Sequence, residues 1–476
     1  KFFLTMAIFS QRSLTNLLFW VTRKKWLIFS FVFSILLFYL PSPEGLGSEA
    51  HRTLIIVLVA LTLIISESIP LPAVAILILI MEVILGVDTA DGVASSFMSD
   101  AVFFIMGSLM LAVAIVYQGL DKRLALGVIN ITGNKTWRIV LGFVTISALL
   151  SSFIGEHTVA AMMLPVALAL IRNAGMDTTK ATKLSTILLF SIAYGCAIGS
   201  IGTPSGGGRN VIMIGYLSDF GIAEISYLDW MKFAYPMLVL EIPVAAIVLW
   251  YTFTPEQKIM DSSVRKLKVQ VAKTGKMTVN QIMSIVIFFI VFLGWVFLSP
   301  FIGLGIVALI GVFLYLTFGL IDWQEISNNT NWSVILLFGS AISLGIQMRE
   351  TGAAFWVAER TLQYLEIIFQ DVGIVRWFVS VVMTGLLTNL LSNAATVAVF
   401  GPIVLDMGGN PVITGIMTSI ASAFAYLTIV ASPTCMIIHS TGLITSGDYL
   451  KAGWKLFIIS IVLLLLISTF YWPILL

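Results

Sequence analysis

Charge is what this sequence has least of: only 11% of its 476 residues are Asp, Glu, Lys or Arg, against 59% hydrophobic. Soluble domains carry roughly a quarter of their residues as charges, so a soluble fold is excluded, and a mean hydropathy of +1.03 places the chain in a bilayer. The formal net charge is only +2, which argues against a nucleic-acid surface. Cysteine is nearly absent. Cys196 and Cys435 both lie in apolar runs, where they make no disulfide framework and read as small packed side chains. Histidine occurs three times, scattered and without an H-E-x-x-H pattern, so no metal site and no cofactor is expected.

Long apolar runs are what the chain does have. At roughly 20 residues per helix plus loops its length suits about ten to twelve membrane spans. The run WLIFSFVFSILLFYL (26 to 40) follows Arg23, Lys24 and Lys25. No small-residue cleavage pattern follows and many spans do, so it reads as a first transmembrane helix with a cytoplasmic N-terminus rather than a signal peptide. The chain starts at Lys1 rather than Met, and a few preceding residues are expected. Further spans are expected over 53–69, 71–86, 101–119, 184–217, 231–253, 281–298, 302–320, 333–348, 412–440 and 453–475. Trp230, Trp250 and Trp332 fall near span ends, as an interfacial belt would.

Two segments, 138–171 and 376–407, do not fit as simple spans, because each carries a polar break: GEHT at 155–158 and SNAAT at 392–396. Two half-length apolar arms around a polar tip describe a re-entrant hairpin. With both hairpins entering and leaving on one side, the basic loops fall together: Lys122, Arg123, Lys135 and Arg138, then Arg172, Lys180 and Lys183, and the 254–280 linker with Lys258, Arg265, Lys266, Lys268, Lys273 and Lys276. The acidic loops with Asp88, Asp91, Asp100, Asp219, Glu224 and Asp229 fall opposite. The expected fold is therefore all-α and polytopic, eleven transmembrane helices plus two hairpins, N-terminus inside and C-terminus outside, in the cell membrane.

The basic linker divides the chain into halves whose features recur in order. FIMGSLMLAV (104–113) is echoed by LLFGSAISLG (336–345), each followed by an amphipathic stretch and a hairpin. After each hairpin comes a helix broken by small residues and proline: AIGSIGTPSGGGRN (197–210), then TIVASPTCMI (428–437). Five spans and one hairpin per half insert the halves in opposite orientations, and inverted repeats with paired broken helices characterise secondary transporters.

SNAATVAVFGPI (392–403) resembles the Ser-Asn-Thr hairpin tip of the divalent anion/sodium symporter family, the Indy-type dicarboxylate carriers. AAMMLP (160–165), the GTP of 202–204 and the ASP of 431–433 resemble that family's flanking and unwound segments, and the order of elements matches over about 50–476. The resemblance implies a homodimeric elevator carrier of small dicarboxylates. Its scaffold would comprise 51–137 and 281–373; its transport part would comprise 138–253, with an unwound loop at 198–210, and 374–476, with one at 429–436. Residues 1–50 would hold the first helix and 254–280 a cytoplasmic linker.

The expected site follows from the chemistry of helix breaks. Hairpin tips offer free backbone N–H groups with hydroxyls and amides, the donors a carboxylate wants. Gly155, Glu156, His157 and Thr158 form one such tip and Ser392, Asn393, Ala394 and Thr396 the other. Thr203, Pro204, Ser432, Pro433 and Thr434 sit where helices unwind, and their freed carbonyls are tolerable there only if they line a cavity or meet an ion. Set against the family pattern, Gly155, Glu156 and His157 stand where its first Ser-Asn-Thr is expected, and Arg209 follows a triple glycine in the first unwound loop. Fixed cations there would repel sodium and balance a dianion in its place, so His157 and Arg209 read as a replacement for a sodium site. A lone Arg209 in an empty site would be a buried unpaired cation that crosses only at great cost, which predicts obligate, sodium-independent exchange of dicarboxylates such as 2-oxoglutarate against succinate or malate. Glu156 complicates this by neutralising Arg209 or orienting His157. A sodium-coupled dicarboxylate or citrate symporter is the alternative.

Other readings are weaker. Ser152 and His157 are a conceivable nucleophile and base with no third partner, so no enzyme is expected. GGGR lacks the Lys-Ser or Lys-Thr of a phosphate cradle, and two inverted breaks do not make the rings of a channel. Glu67, Glu82 and Glu241 are read as lying near span ends or on opposite faces, and His439 is unassigned.

Overall fold

Every named element is a helix among the residues that the computed structural model describes, 25–120, 123, 132–174, 181–261, 264–266, 275–429 and 431–475. Arg23, Lys24, Lys122, Lys180, Lys268 and Lys273, with most of the first half's amphipathic stretch, lie outside the described residues.

The first half runs α1 Lys25–Tyr39, α2 Ser48–Ser66, α3 Leu71–Ile84, α4 Asp100–Tyr117, α5 Thr136–Ile154, α6 Glu156–Asn173, α7 Lys183–Gly199, α8 Gly208–Asp219 and α9 Tyr227–Thr252. The second runs α10 Val279–Phe297, α11 Leu304–Thr317, α12 Trp332–Glu350, α13 Ala353–Phe369, α14 Val372–Leu387, α15 Asn393–Leu405, α16 Pro411–Ala421, α17 Pro433–His439 and α18 Ser446–Phe470. Seven helices among these residues are long and apolar enough to cross a bilayer, the last continuing to Ile474. The chain is thus an all-α polytopic membrane protein. Element order recurs as expected: α5, α6 and the broken pair α7/α8 in one half, α14, α15 and α16/α17 in the other.

Helix starts follow local chemistry. Thr182 and Ser185 form a reciprocal capping box at α7, and Thr278 and Gln281 form one at α10, each satisfying two orphan N–H groups. α10 is the least buried of the seven long spans; its exposed Ile282, Ile285, Phe289 and Phe297 are what a lipid-facing helix needs.

One expectation about the hairpins needs correction. α5 has 19 residues and α6 has 18, so each is about 28 Å long, close to a full span rather than a half. The polar break, not short arms, distinguishes this segment. In the second half α13 meets α14 at a 118° bend. The linker is also more tied down than a basic spacer need be: Thr136 N donates to Lys258 O (3.0 Å) and Met260 N to Asn134 O (2.8 Å), while Glu256 accepts from the backbone of Lys183 and Leu184 at the start of α7. These bonds hold it beside the base of the α5/α6 pair.

Three large cores and one small cluster, Leu46, Ala50 and Ala353, divide the described residues. The first joins α5, α6, α7 and α9 to α16, α17 and α18 across the two halves. A second gathers α4, α8, α10, α11 and α12, and a third α2, α3, α12 and α13 with parts of α14 and α15. α5 and α7 approach closely enough that a Cβ on Gly199 would lie 2.0 Å from Ala148 O. α8 and α15 pack on α12 as well as on each other, and so join the expected scaffold to the first core's elements.

Candidate functional site

The α5/α6 turn is built on Gly155, at φ +90° and ψ 145°, a conformation that a side chain strongly disfavours. Immediately before each tip, two polar residues reach across to a broken helix. Ser151 Oγ donates to Cys196 O (2.9 Å) and Ser152 Oγ to Gly199 O (2.8 Å) at the end of α7. Thr388 Oγ1 donates to Ser422 O (2.7 Å), and Asn389 Nδ2 to Phe424 O (3.0 Å), beyond the end of α16; Asn389 Oδ1 also accepts from Leu427 N (2.8 Å). Asn210 Nδ2 donates to Ser200 O and Thr203 O, 2.8 Å each, and Trp230 Nε1 to Ile201 O at 2.9 Å. Carbonyls freed by unwinding, expected to face a cavity or an ion, are thus largely taken by side-chain donors, the other way of satisfying buried backbone. Trp230 is correspondingly a fully buried prop and not part of an interfacial belt.

The tips and the first loop meet at a buried polar cluster. Glu156 is 6% exposed, Arg209 2% and Asn393 6%. Arg209 Nη1 lies 3.9 Å from Glu156 Oε2. Ser200 Oγ bridges the two, accepting from Arg209 Nη2 at 2.5 Å and donating to Glu156 Oε2 at 3.1 Å. The expectation of an unpaired cation is therefore corrected: Glu156 is close enough to cancel Arg209 when ionised.

Asn393 closes the other side, and its amide can present either atom. With nitrogen toward the pair it donates to Glu156 Oε1 at 3.3 Å, but its oxygen then opposes two carbonyls. Turned over, it donates to Ala431 O (3.1 Å), Ser422 O (3.2 Å) and Thr388 Oγ1 (2.9 Å), and accepts from Arg209 Nη1 at 3.1 Å. The second orientation satisfies more groups and is the one assigned. His157 Nδ1 and Arg209 Nε are buried without a hydrogen-bond partner among the described residues, leaving binding capacity beside the cluster unused.

Of the residues singled out by sequence, the fold brings Glu156, Asn393 and Arg209 together with Gly155 and His157 at the same tip. The others are engaged differently. Thr203 Oγ1 bonds to Ser152 O and to Ser205 Oγ (3.0 Å), with Pro204 starting the short turn beside it. Thr396 Oγ1 bonds to Ser392 O (3.1 Å), while Ser392 Oγ caps α15 by accepting from Ala395 N. Ala394 is half-buried against the second core. Ser432 caps α17, whose first residue is Pro433, and its hydroxyl lies 2.6 Å from that of Thr434. Thr158 borders a cavity of about 490 Å³ shared with Tyr117, Glu325 and Asn329, away from the cluster. Ser200 lies in the unwound loop 198–210 that the sequence marks, but nothing in the sequence singles it out from the other small residues there.

Two carboxylates expected near span ends or on opposite faces are fully buried; Glu82 does lie near the end of α3, whereas Glu241 does not lie near the end of α9. Glu241, mid-way along α9, accepts from Tyr426 OH (3.0 Å) and from Ser460 Oγ; Glu82 accepts from Ser343 Oγ (2.7 Å). A cavity of about 540 Å³ near the start of α4 is lined by Asp100, Asp219, Glu224 and Asp229, a lining that repels dianions.

A polytopic helical protein with recurrent broken helices meeting at a buried charged cluster has the architecture of a secondary transporter. Residues 22–476 match the family described as sodium:sulfate symporter transmembrane region, and the chain belongs to this family of divalent anion/sodium symporters. It is 28% identical over 473 residues to the sodium-dependent dicarboxylate transporter SdcS of Staphylococcus saprophyticus, covering 93% of this chain and 89% of that one. It is also 28% identical over 439 residues to the sodium-dependent high-affinity dicarboxylate transporter 3 of Caenorhabditis elegans, covering 80% and 76%. The YdaH transporter of Alcanivorax borkumensis, described as having an unusual topology, superposes with a TM-score of 0.52 at 13% identity over 79% of this chain and 86% of that one, a likeness of fold alone.

Proposed function

We propose that the protein is a sodium-independent exchanger of four- and five-carbon dicarboxylates. The observation that carries this is Arg209, a guanidinium buried where two helix tips and an unwound loop converge. A substrate carboxylate would take its N–H groups bidentately, with the unpartnered His157 Nδ1 as a further polar contact. When Glu156 is neutral, an empty site carries an uncompensated cation and stays on its side of the membrane; a loaded one crosses. That condition produces exchange. Sodium independence is supported by the loop carbonyls, which Asn210, Ser152, Thr388 and Asn389 occupy.

Movement would be of the elevator kind: hairpins and broken helices shift against the scaffold of a homodimer in the cell membrane, with N-terminus cytoplasmic, C-terminus outside and no cofactor. Sodium-coupled symport is the second reading, favoured by the names of the two relatives. Uptake of labelled succinate into liposomes, with or without internal dicarboxylate and with sodium or potassium outside, separates them. Uptake that needs internal substrate and ignores sodium is expected; accumulation in empty vesicles driven by a sodium gradient would sink the exchange reading.

A further inference from the structure

We propose that Glu156 couples transport to protons: a dicarboxylate takes over Arg209 only as Glu156 accepts a proton, and that proton decides whether the empty carrier can return. The inference rests on the dicarboxylate reading above and adds a role for the one acidic side chain in the cluster.

Electrostatics sets the coupling. Ionised Glu156, 3.9 Å from Arg209 and joined to it through Ser200, leaves the empty cluster neutral. A substrate carboxylate reaching the same guanidinium would then sit beside a second carboxylate in a buried site, where like charges repel far more strongly than in water. A proton arriving from the side the site faces and binding a Glu156 carboxylate oxygen removes that repulsion; no other bond is made or broken. The carboxylate and the substrate therefore compete for one cation, and a proton settles the competition.

Asn393 supplies an independent observation. In the orientation that satisfies Ala431 and Ser422, its amide oxygen occupies the position that lies 3.3 Å from Glu156 Oε1. There it accepts from Arg209 Nη1 at 3.1 Å, sharing the guanidinium with Glu156. The reverse orientation donates to Glu156 Oε1 at 3.3 Å. Asn393, on the opposite tip, can thus follow either member of the pair by turning its amide over.

The titratable and charged groups facing Glu156 are few. They are Arg209 on α8, the neighbouring His157 on α6, Cys196 on α7 and Cys435 on α17, with Tyr426 beyond Arg209. α15 contributes Asn393, which carries no charge. Arg209 is thus the single fixed cation against it among the described residues. With Glu156 protonated, the empty site is cationic and the carrier exchanges. Once Glu156 releases its proton, the empty site is a neutral pair, so exchange is obligatory while the proton is held.

The full chain in sodium-free nanodiscs tests this by succinate binding between about pH 7 and 9, where ordinary carboxyls stay ionised. Uptake of one proton per substrate requires wild-type affinity to weaken about tenfold per pH unit, with about one proton taken up per succinate bound in a weakly buffered indicator solution. Glu156→Gln should bind with no such slope and no proton uptake, more tightly than wild type at the alkaline end; Glu156→Asp should keep the slope. A wild-type slope retained in Glu156→Gln would overturn the proposal, as would wild-type binding without proton uptake, a result that stands even if the variant does not fold. No binding of succinate, malate or 2-oxoglutarate by wild type at any pH would overturn the dicarboxylate reading, and this inference with it.

Discussion

The two hairpin tips do the same mechanical work with opposite electrical characters. Ser151 and Ser152 before the first tip, and Thr388 and Asn389 before the second, reach the backbone at the end of the facing broken helix in matched fashion. Beyond that, the second tip presents neutral Asn393, while the first presents Glu156 and His157 beside Arg209. The bonds that hold a break open are therefore separable from the groups that set its charge, and the charge of one tip can change without the frame that carries both.

The largest effect should follow from removing the cation. Arg209→Ala leaves Glu156 buried without its partner, and loss of a charge-assisted contact of this kind predicts succinate binding about 10–100-fold weaker. The same change removes one member of a buried pair, for which a stability loss of about 3–5 kcal/mol is expected. Binding and thermal unfolding of the purified variant would show both; unchanged, tightly coupled exchange would remove Arg209 from the mechanism and make the two tips electrically equivalent.

The mechanical half of the comparison is sharpened by a pair of variants. Asn389→Ala strips partners from Phe424 O and Leu427 N together, at about 1–3 kcal/mol for each group left buried. Ser152→Ala removes one donor from Gly199 O and should cost about 1 kcal/mol. Equal losses in thermal unfolding would show that the second break does not depend more heavily on its clamp. The smallest effect is expected from Ser392→Ala, which loses only the α15 cap, about 1 kcal/mol, with succinate affinity little changed; a loss of affinity matching that of Arg209→Ala would instead place its hydroxyl on the substrate.

Much of this was legible because a bilayer restricts what a backbone can do. The breaks at Gly155 and Ser392, the unwound loops after α7 and α16 and the repetition of elements all follow from polar, glycine and proline residues interrupting apolar runs. Arm length was misjudged because apolar residues that span lipid and those that pack against other helices look alike in sequence. The partners of the loop carbonyls were illegible for a related reason. Asn210 and Asn389 read as ordinary polar residues until the fold places them against broken helices.

The sequence by itself determined the helical class, the membrane setting, the positions of the breaks and the unusual Glu156, His157 and Arg209, because each is a local departure from an apolar pattern. Only the tertiary structure decided what those residues are to one another. Glu156 and Asn393 are separated by 237 residues, about half of the chain, and their meeting with Arg209 depends on packing two halves together. Whether a buried arginine is a lone charge or half of a pair is a matter of a few ångströms, and no spacing along a chain encodes that distance.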